Sequence, residues 1–214
     1  MPGEIRKFLE SFLNRGACLI GQVQILPDFL LSHVEDSGKA GLEIFKDPHD
    51  AIEIARHDDE GKYRPLKTAP NLRHGWRLNL ANVDEVLLAL DFLYPAAVGT
   101  AMAFAQGELQ TVYLRDTLAR QTGMYAVTRK ITDKQVESVV NHTCNHRNGC
   151  LRHILWSISF GRPTPLSRQG TEVEGSPHEI PLLCPEACNL LVAASRKMVK
   201  SPAGESAKRN VEAI

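Results

Sequence analysis

The chain has 214 residues, 43% of them hydrophobic, enough to bury a core without a disulfide framework. Its 25 basic and 25 acidic residues cancel, so no global field draws it to nucleic acid or to an anionic membrane. No apolar run reaches the ~18 residues that span a bilayer, and the charged, amphipathic start is not a signal peptide. A cytoplasmic protein with no nucleic-acid or membrane partner is expected.

In chain order, residues 2–14 place Ile5, Phe8, Leu9, Phe12 and Leu13 on one helical stripe that Gly16 stops. Ala17 to Leu26, Phe29 to Val34 and Leu42 to Phe45 read as short strands, divided at Pro27-Asp28 and Asp36-Ser37-Gly38. Asp47 and Pro48 suit the N-cap and first position of a helix reaching about His57. Tyr63 to Leu66 and Gly75 to Leu80 are extended and complete a small antiparallel sheet. Asn82 caps the next helix, with Asp84 and Glu85 in its positive first turn and Pro95 at its end. Ala96 to Gln106, Val112 to Gln121 and Gln135 to His142 continue as helices, the last capped by Thr132 or Asp133.

Leu151 to Ser159 also fits a helix, with Leu151, Ile154, Leu155 and Ile158 on one side. Pro163, Pro165, Gly170, Gly175, Pro177 and Pro181 make residues 161–181 a long loop. A final helix runs from Pro185 to about Lys200, and residues 201–214 are expected to be a flexible tail. The fold class that follows is α+β. Residues 1–80 form a small region of helices and an antiparallel sheet, and residues 81–200 form a mostly helical, cysteine-containing region.

Five cysteines, an odd number, argue against a full disulfide set. Cys18 lies in the apolar strand Ala17-Cys18-Leu19-Ile20 and reads as a packed thiol. Cys144, Cys150, Cys184 and Cys188 fall within 45 residues, in the pattern Cys-x5-Cys and Cys-x3-Cys. Core thiols belong in apolar runs, whereas Cys144 and Cys150 bound the polar stretch Asn145-His146-Arg147-Asn148-Gly149. The four are therefore read as thiolate ligands of one metal centre.

Pro185 suits a first helical position, so Cys184 is expected at an N-cap with Cys188 one turn later on the same face. Such a pair has Cβ atoms about 5–6 Å apart. Tetrahedral zinc, with Zn–S bonds of about 2.3 Å, needs sulfurs roughly 3.8 Å apart. A 4Fe-4S cubane spreads its four thiolates over four irons and tolerates wider spacing, so the cluster is favoured, with zinc as the alternative cofactor. Arg147 and Arg152 are available to offset anionic charge, and Trp156 to shield a cluster. His142 and His146 read as exposed loop imidazoles. His33, His49, His57, His74, His153 and His178 are scattered without ligand spacing. There is no dinucleotide or Walker loop, nucleophile elbow or HExxH.

Lys67-Thr68-Ala69-Pro70-Asn71-Leu72 with Gly75-Trp76, Leu93-Tyr94-Pro95, Arg120-Gln121-Thr122-Gly123-Met124-Tyr125, and the block from Cys144 through Leu155-Trp156 to Cys184-Pro185-Glu186-Ala187-Cys188 carry a family likeness. Over about residues 15–200 the chain resembles the C-terminal region of sirohydrochlorin cobaltochelatase-like (CbiX-like) proteins. There a small stabilising domain precedes a 4Fe-4S cluster-binding domain. The resemblance implies the cluster, its four cysteine ligands and a link to tetrapyrrole (sirohydrochlorin/cobalamin) metabolism. These 214 residues hold no counterpart of the preceding chelatase domain, so chelatase activity is not expected to carry over.

The expectation is an iron-sulfur protein for electron transfer, redox sensing or support of a redox or enzyme partner, such as a tetrapyrrole-metabolism enzyme. The alternative is a zinc-stapled structural or protein-interaction module. Catalysis through Arg120, Gln121, Tyr125 and Arg147 is a third reading, disfavoured because four thiolates leave a cubane no open iron.

Overall fold

The apolar stripe at the start of the chain forms α1 (Pro2–Leu13), which buries Leu9 and Leu13 and sets Phe8 edge-on to Phe12 at 5.2 Å. It opens a computed structural model that describes residues 2–58, 60, 62–63, 72–144, 150–164 and 178–201. Two compact units are present. The first comprises Met1–Leu109, Leu151–His153 and Thr171–Leu183, and the second Gln110–Cys150, Ile154–Gly170 and Cys184–Ile214. The change from strand to helix after residue 80 lies inside the first unit.

The predicted strand from Ala17 to Leu26 is a hairpin, β1 (Cys18–Ile20) and β2 (Val23–Ile25), turning at Gly21-Gln22. Gly21 has φ +58°, and a Cβ there would lie 2.6 Å from Leu182 Cδ1 and 2.9 Å from the Tyr94 ring. Only glycine meets both demands. Next come β3 (Leu30–His33), β4 (Glu43–Phe45) and β5 (Trp76–Asn79). Between β4 and β5, Asp47 caps the 3-10 turn Pro48–Asp50, which leads into α2 (Ala51–Ala55), as the Asp-Pro signal indicates. Tyr63 forms a single bridge with His57, and residues 64–71 lie outside the described residues.

Expected to be wholly antiparallel, the sheet is mixed. Its order is β4-β5-β3-β2-β1-β7, where β7 is Glu179–Ile180. The β1/β2, β2/β3 and β3/β5 pairs are antiparallel; β4/β5 and β1/β7 are parallel. Parallel neighbours need long crossovers. The first contains α2, and the second contains the whole chain from β2 to β7. The predicted loop 161–181 therefore donates an edge strand, while residues 165–177 lie outside the described residues.

Asn82 accepts from the N–H groups of Asp84 and Glu85 and starts α3 (Val83–Leu93), followed by α4 (Ala97–Ala105). Ile20, Leu31, Leu78, Trp76, Leu90 and Tyr94 are among the fully buried side chains that join sheet and helices. Among the described residues no single helix is long and apolar enough to cross a membrane.

The second unit contains α5 (Leu114–Ala119), a 3-10 segment Gly123–Lys130 and α6 (Asp133–Cys144). Thr132 and Gln135 form a reciprocal capping box at the start of α6: the Thr132 N–H donates to Gln135 Oε1 (2.9 Å) and the Gln135 N–H to Thr132 Oγ1 (3.3 Å). The helix predicted over 151–159 is absent. His153–Ile154 is a short strand, β6, paired with β8 (Leu183–Cys184), and Ile154, Trp156 and Ile158 are buried at a period of two, the spacing of extended chain. The last helix, α7 (Asn189–Lys200), packs Leu191 and Val192 with Leu114, Leu118, Val136 and Val140 in a separate core. The predicted tail falls outside the described residues beyond Ser201.

Candidate metal centre

Cys144, Cys150, Cys184 and Cys188 all belong to the second unit and are partly buried thiols outside any disulfide. Cys144 is the last residue of α6. Cys150 stands just before Leu151, after the undescribed residues 145–149. Cys144, Cys184 and Cys188 pack against the apolar core of the unit.

The expected helical pairing of Cys184 with Cys188 is not what forms. Cys184 ends strand β8 and its carbonyl accepts from Leu155 N–H at 3.0 Å. Pro185 and Glu186 make a bend, with the Pro185 carbonyl accepting from Val112 N–H at 3.1 Å. Cys188 is the extended N-cap of α7, its carbonyl taking the first intrahelical bond from Val192 at 3.2 Å. Proline fits a bend as well as a first helical turn, and long-range bonds to Leu155 and Val112 select the bend.

This places Cys188 at the positive end of a 12-residue helix, without a side-chain cap bond. N–H groups there favour negative charge on a thiolate.

Burial pushes the Cys144 thiol well above the usual thiol range, and like-charge repulsion from Cys150, Cys188 and Cys184 adds to the effect. All four sulfurs are thus electrostatic neighbours. They are not crowded, however: among the described residues, no three of these sulfurs lie within 4.8 Å of one another. Tetrahedral zinc would hold every pair near ~3.8 Å.

Trp156, only 2% exposed, donates its indole N–H to Cys184 Sγ at 3.4 Å. The Cys184 S–H donates in turn to the Glu186 carbonyl at 3.1 Å. The Glu186 carboxylate accepts from Arg120 (2.8 Å) and Thr117 Oγ1 (3.2 Å), which ties the cysteine bend to α5. Arg120 is thus engaged structurally. Gln121 donates to the Thr117 carbonyl, and Arg196 lies over the Tyr125 ring at 5.4 Å. Sequence reasoning missed this second layer, because bonds from Thr117 and Arg120 to a distant Glu186 leave no local signal.

His142 is exposed, while His146 and Arg147 lie outside the described residues. The Arg152 guanidinium is taken up by the carbonyls of Leu183 (2.9 Å) and Pro95 (3.0 Å). Cys18 is a packed thiol at 1% exposure, which burial pushes up to about 12.

Residues 106–197 match the family model of a 4Fe-4S iron-sulfur cluster binding domain, which places the chain among iron-sulfur proteins. Residues 7–104 match the DR2241 stabilising domain. DR2241 from Deinococcus radiodurans itself, described as a multi-domain protein with structural similarity to chelatases but also with two additional novel domains, superposes with a TM-score of 0.76 at 30% identity. That match covers 92% of this chain and 41% of DR2241. The chain thus has the tandem of stabilising and cluster-binding domains that its motifs resemble. No curated protein matches it.

Proposed function

We propose that this chain holds one 4Fe-4S cluster through Cys144, Cys150, Cys184 and Cys188 and serves electron transfer, redox sensing or support of a partner enzyme. The observation that carries the reading is the convergence of four thiols, none in a disulfide, from the end of α6, the start of the 150s segment, strand β8 and the N-cap of α7. The match of residues 106–197 to a 4Fe-4S cluster binding domain supports a cubane over zinc.

When bound, such a cluster supplies one-electron chemistry. The protein's own groups suit that task. The α7 N-terminus and the Trp156 N–H stabilise negative charge on Cys188 and Cys184, and the core around Cys144 limits water. The chelatase-like character of DR2241 supports a place beside tetrapyrrole-modifying enzymes, with the redox or enzyme partner a separate protein.

The test is anaerobic purification or reconstitution followed by iron, sulfide and zinc analysis and EPR of the reduced sample. About four irons and four sulfides per chain are expected, with a broad absorbance near ~400 nm. One zinc and no sulfide would select a structural zinc site, and a folded protein retaining neither metal would defeat both readings.

A further inference from the structure

A second group of metal-binding side chains stands in the first unit, apart in sequence from every cysteine in the proposed cluster site. His33 ends β3, Asp36 ends the 3-10 turn that follows, and His74 precedes β5, the strand paired with β3. The β3/β5 pairing brings together histidines 41 positions apart, a distance at which no sequence spacing signals a site. One ligand atom from each of the three lies within 4.8 Å of the others. We propose that His33, Asp36 and His74 bind a divalent ion of the zinc class.

An independent observation points to a ligand. His33 is fully buried, and its Nε2 has no hydrogen-bond partner among the described residues. Such a group signals a missing partner. The remaining geometry fits an ion. His74 Nδ1 is 3.7 Å from Asp36 Oδ1, close to the ~3.4 Å separating two ligands on a tetrahedral ion with bonds of about 2.1 Å. On the other side of the ring, His74 Nε2 lies 4.0 Å from Glu35 Oε2, poised for the carboxylate–histidine–metal relay that orients imidazole ligands.

Asp36 Oδ2 accepts from Gly75 N–H at 2.6 Å, which fixes the carboxylate and leaves Oδ1 facing the histidines. Burial opposes its ionisation, but the Gly75 N–H and the Lys39 ammonium outweigh that and hold the carboxyl below its usual range. Burial and the adjacent His74 push the His33 imidazole below its ordinary value. Two imidazoles with one carboxylate are a zinc-type donor set.

Two rearrangements accompany binding. Lys39 Nζ, 2.9 Å from Asp36 Oδ1, is a largely exposed side chain that swings into water and yields its place to the ion. His33 Nδ1 accepts from Glu35 N–H at 3.2 Å, so in the neutral ring the proton resides on Nε2. Ligation through Nε2 moves that proton to Nδ1, and the Glu35 N–H, on an exposed residue, turns to solvent.

The test is zinc titration of the full chain, read by the ring-nitrogen NMR signals of individual histidines, which report this site separately from the cysteines. One equivalent bound here shifts His33 and His74 together. His74→Gln should weaken that binding by about 100-fold or more, beyond the effect of losing an outer partner. Lys39→Gln should tighten it by removing the competing cation. Zinc that leaves both rings unmoved, or that binds His74→Gln as it binds the parent, overturns the proposal.

Discussion

The indole N–H of Trp156 and the sulfur of Cys184 meet at 3.4 Å, in a stretch where the indole is buried. Hydrogen bonds to ligand sulfurs stabilise the more negative, reduced state of a cluster. Trp156→Phe keeps the aromatic body and deletes the donor. The reduction potential should fall by a few tens of millivolts, corresponding to a differential of the order of 1 kcal/mol, in an EPR-monitored redox titration. An unchanged potential would show that this bond does not tune the centre.

Serine at Cys144, Cys150, Cys184 or Cys188 should cost most of the bound iron and the visible chromophore. Serine at Cys18, a core thiol of β1, should retain both. Absorbance and iron content of the five anaerobically reconstituted variants separate ligands from bystander. A colourless Cys18 variant that remains folded would contradict the assignment.

Gly21→Ala places a methyl group 2.6 Å from Leu182 Cδ1 in a backbone conformation with φ +58°. Left-handed strain of roughly 1 kcal/mol and overpacking of about 1–3 kcal/mol add. A loss of about 2–4 kcal/mol is expected in denaturant unfolding. A variant as stable as the parent would mean that the hairpin turn adapts freely.

Cys18 supplies a pH dependence. Its thiol rises from the ordinary 9.0 to about 12 because burial penalises the thiolate, with the Ile180 backbone contact and Arg15 opposing. Between these values the unfolded chain has released this proton and the folded chain has kept it. Stability is therefore undiminished below about 9 and falls on going towards 12, at about 1.4 kcal/mol per pH unit from this group. Cys18→Ala should remove that component of alkaline unfolding while leaving the neutral-pH slope unchanged. An identical alkaline slope in both proteins would assign the effect elsewhere.

What could be read in the sequence was local. Asp47, Asn82 and Thr132 announce helix starts because each cap bonds within three residues of itself. The cysteines stood out because Cys144 and Cys150 bound a run as polar as Asn145 to Gly149, whereas core thiols are expected inside apolar runs. What could not be read was decided by distant partners. Leu151, Ile154, Leu155 and Ile158 fit a helical stripe, yet Leu155 N–H is claimed by Cys184, and that ladder imposes extended chain. The same bond withdraws Cys184 from the helix that Pro185 suggests. Glu179-Ile180 is too short to declare itself a strand and becomes one only by pairing with Leu19-Ile20. His33 and His74 become neighbours through strand pairing, which spacing along the chain does not encode.

Strand β7 lies in the sequence between Cys150 and Cys184, although it belongs to the sheet of the first unit. The two family matches meet near residue 105, an inviting place to cut the gene. A piece ending there would forfeit Ile180 and Leu182 from its interior and expose the backbone amides and carbonyls of β1 along one border. Bare borders of that kind recruit other chains and precipitate. Dissection into halves would thus manufacture an aggregating fragment, because the stabilising domain needs a strand from beyond Cys150 to stand on its own.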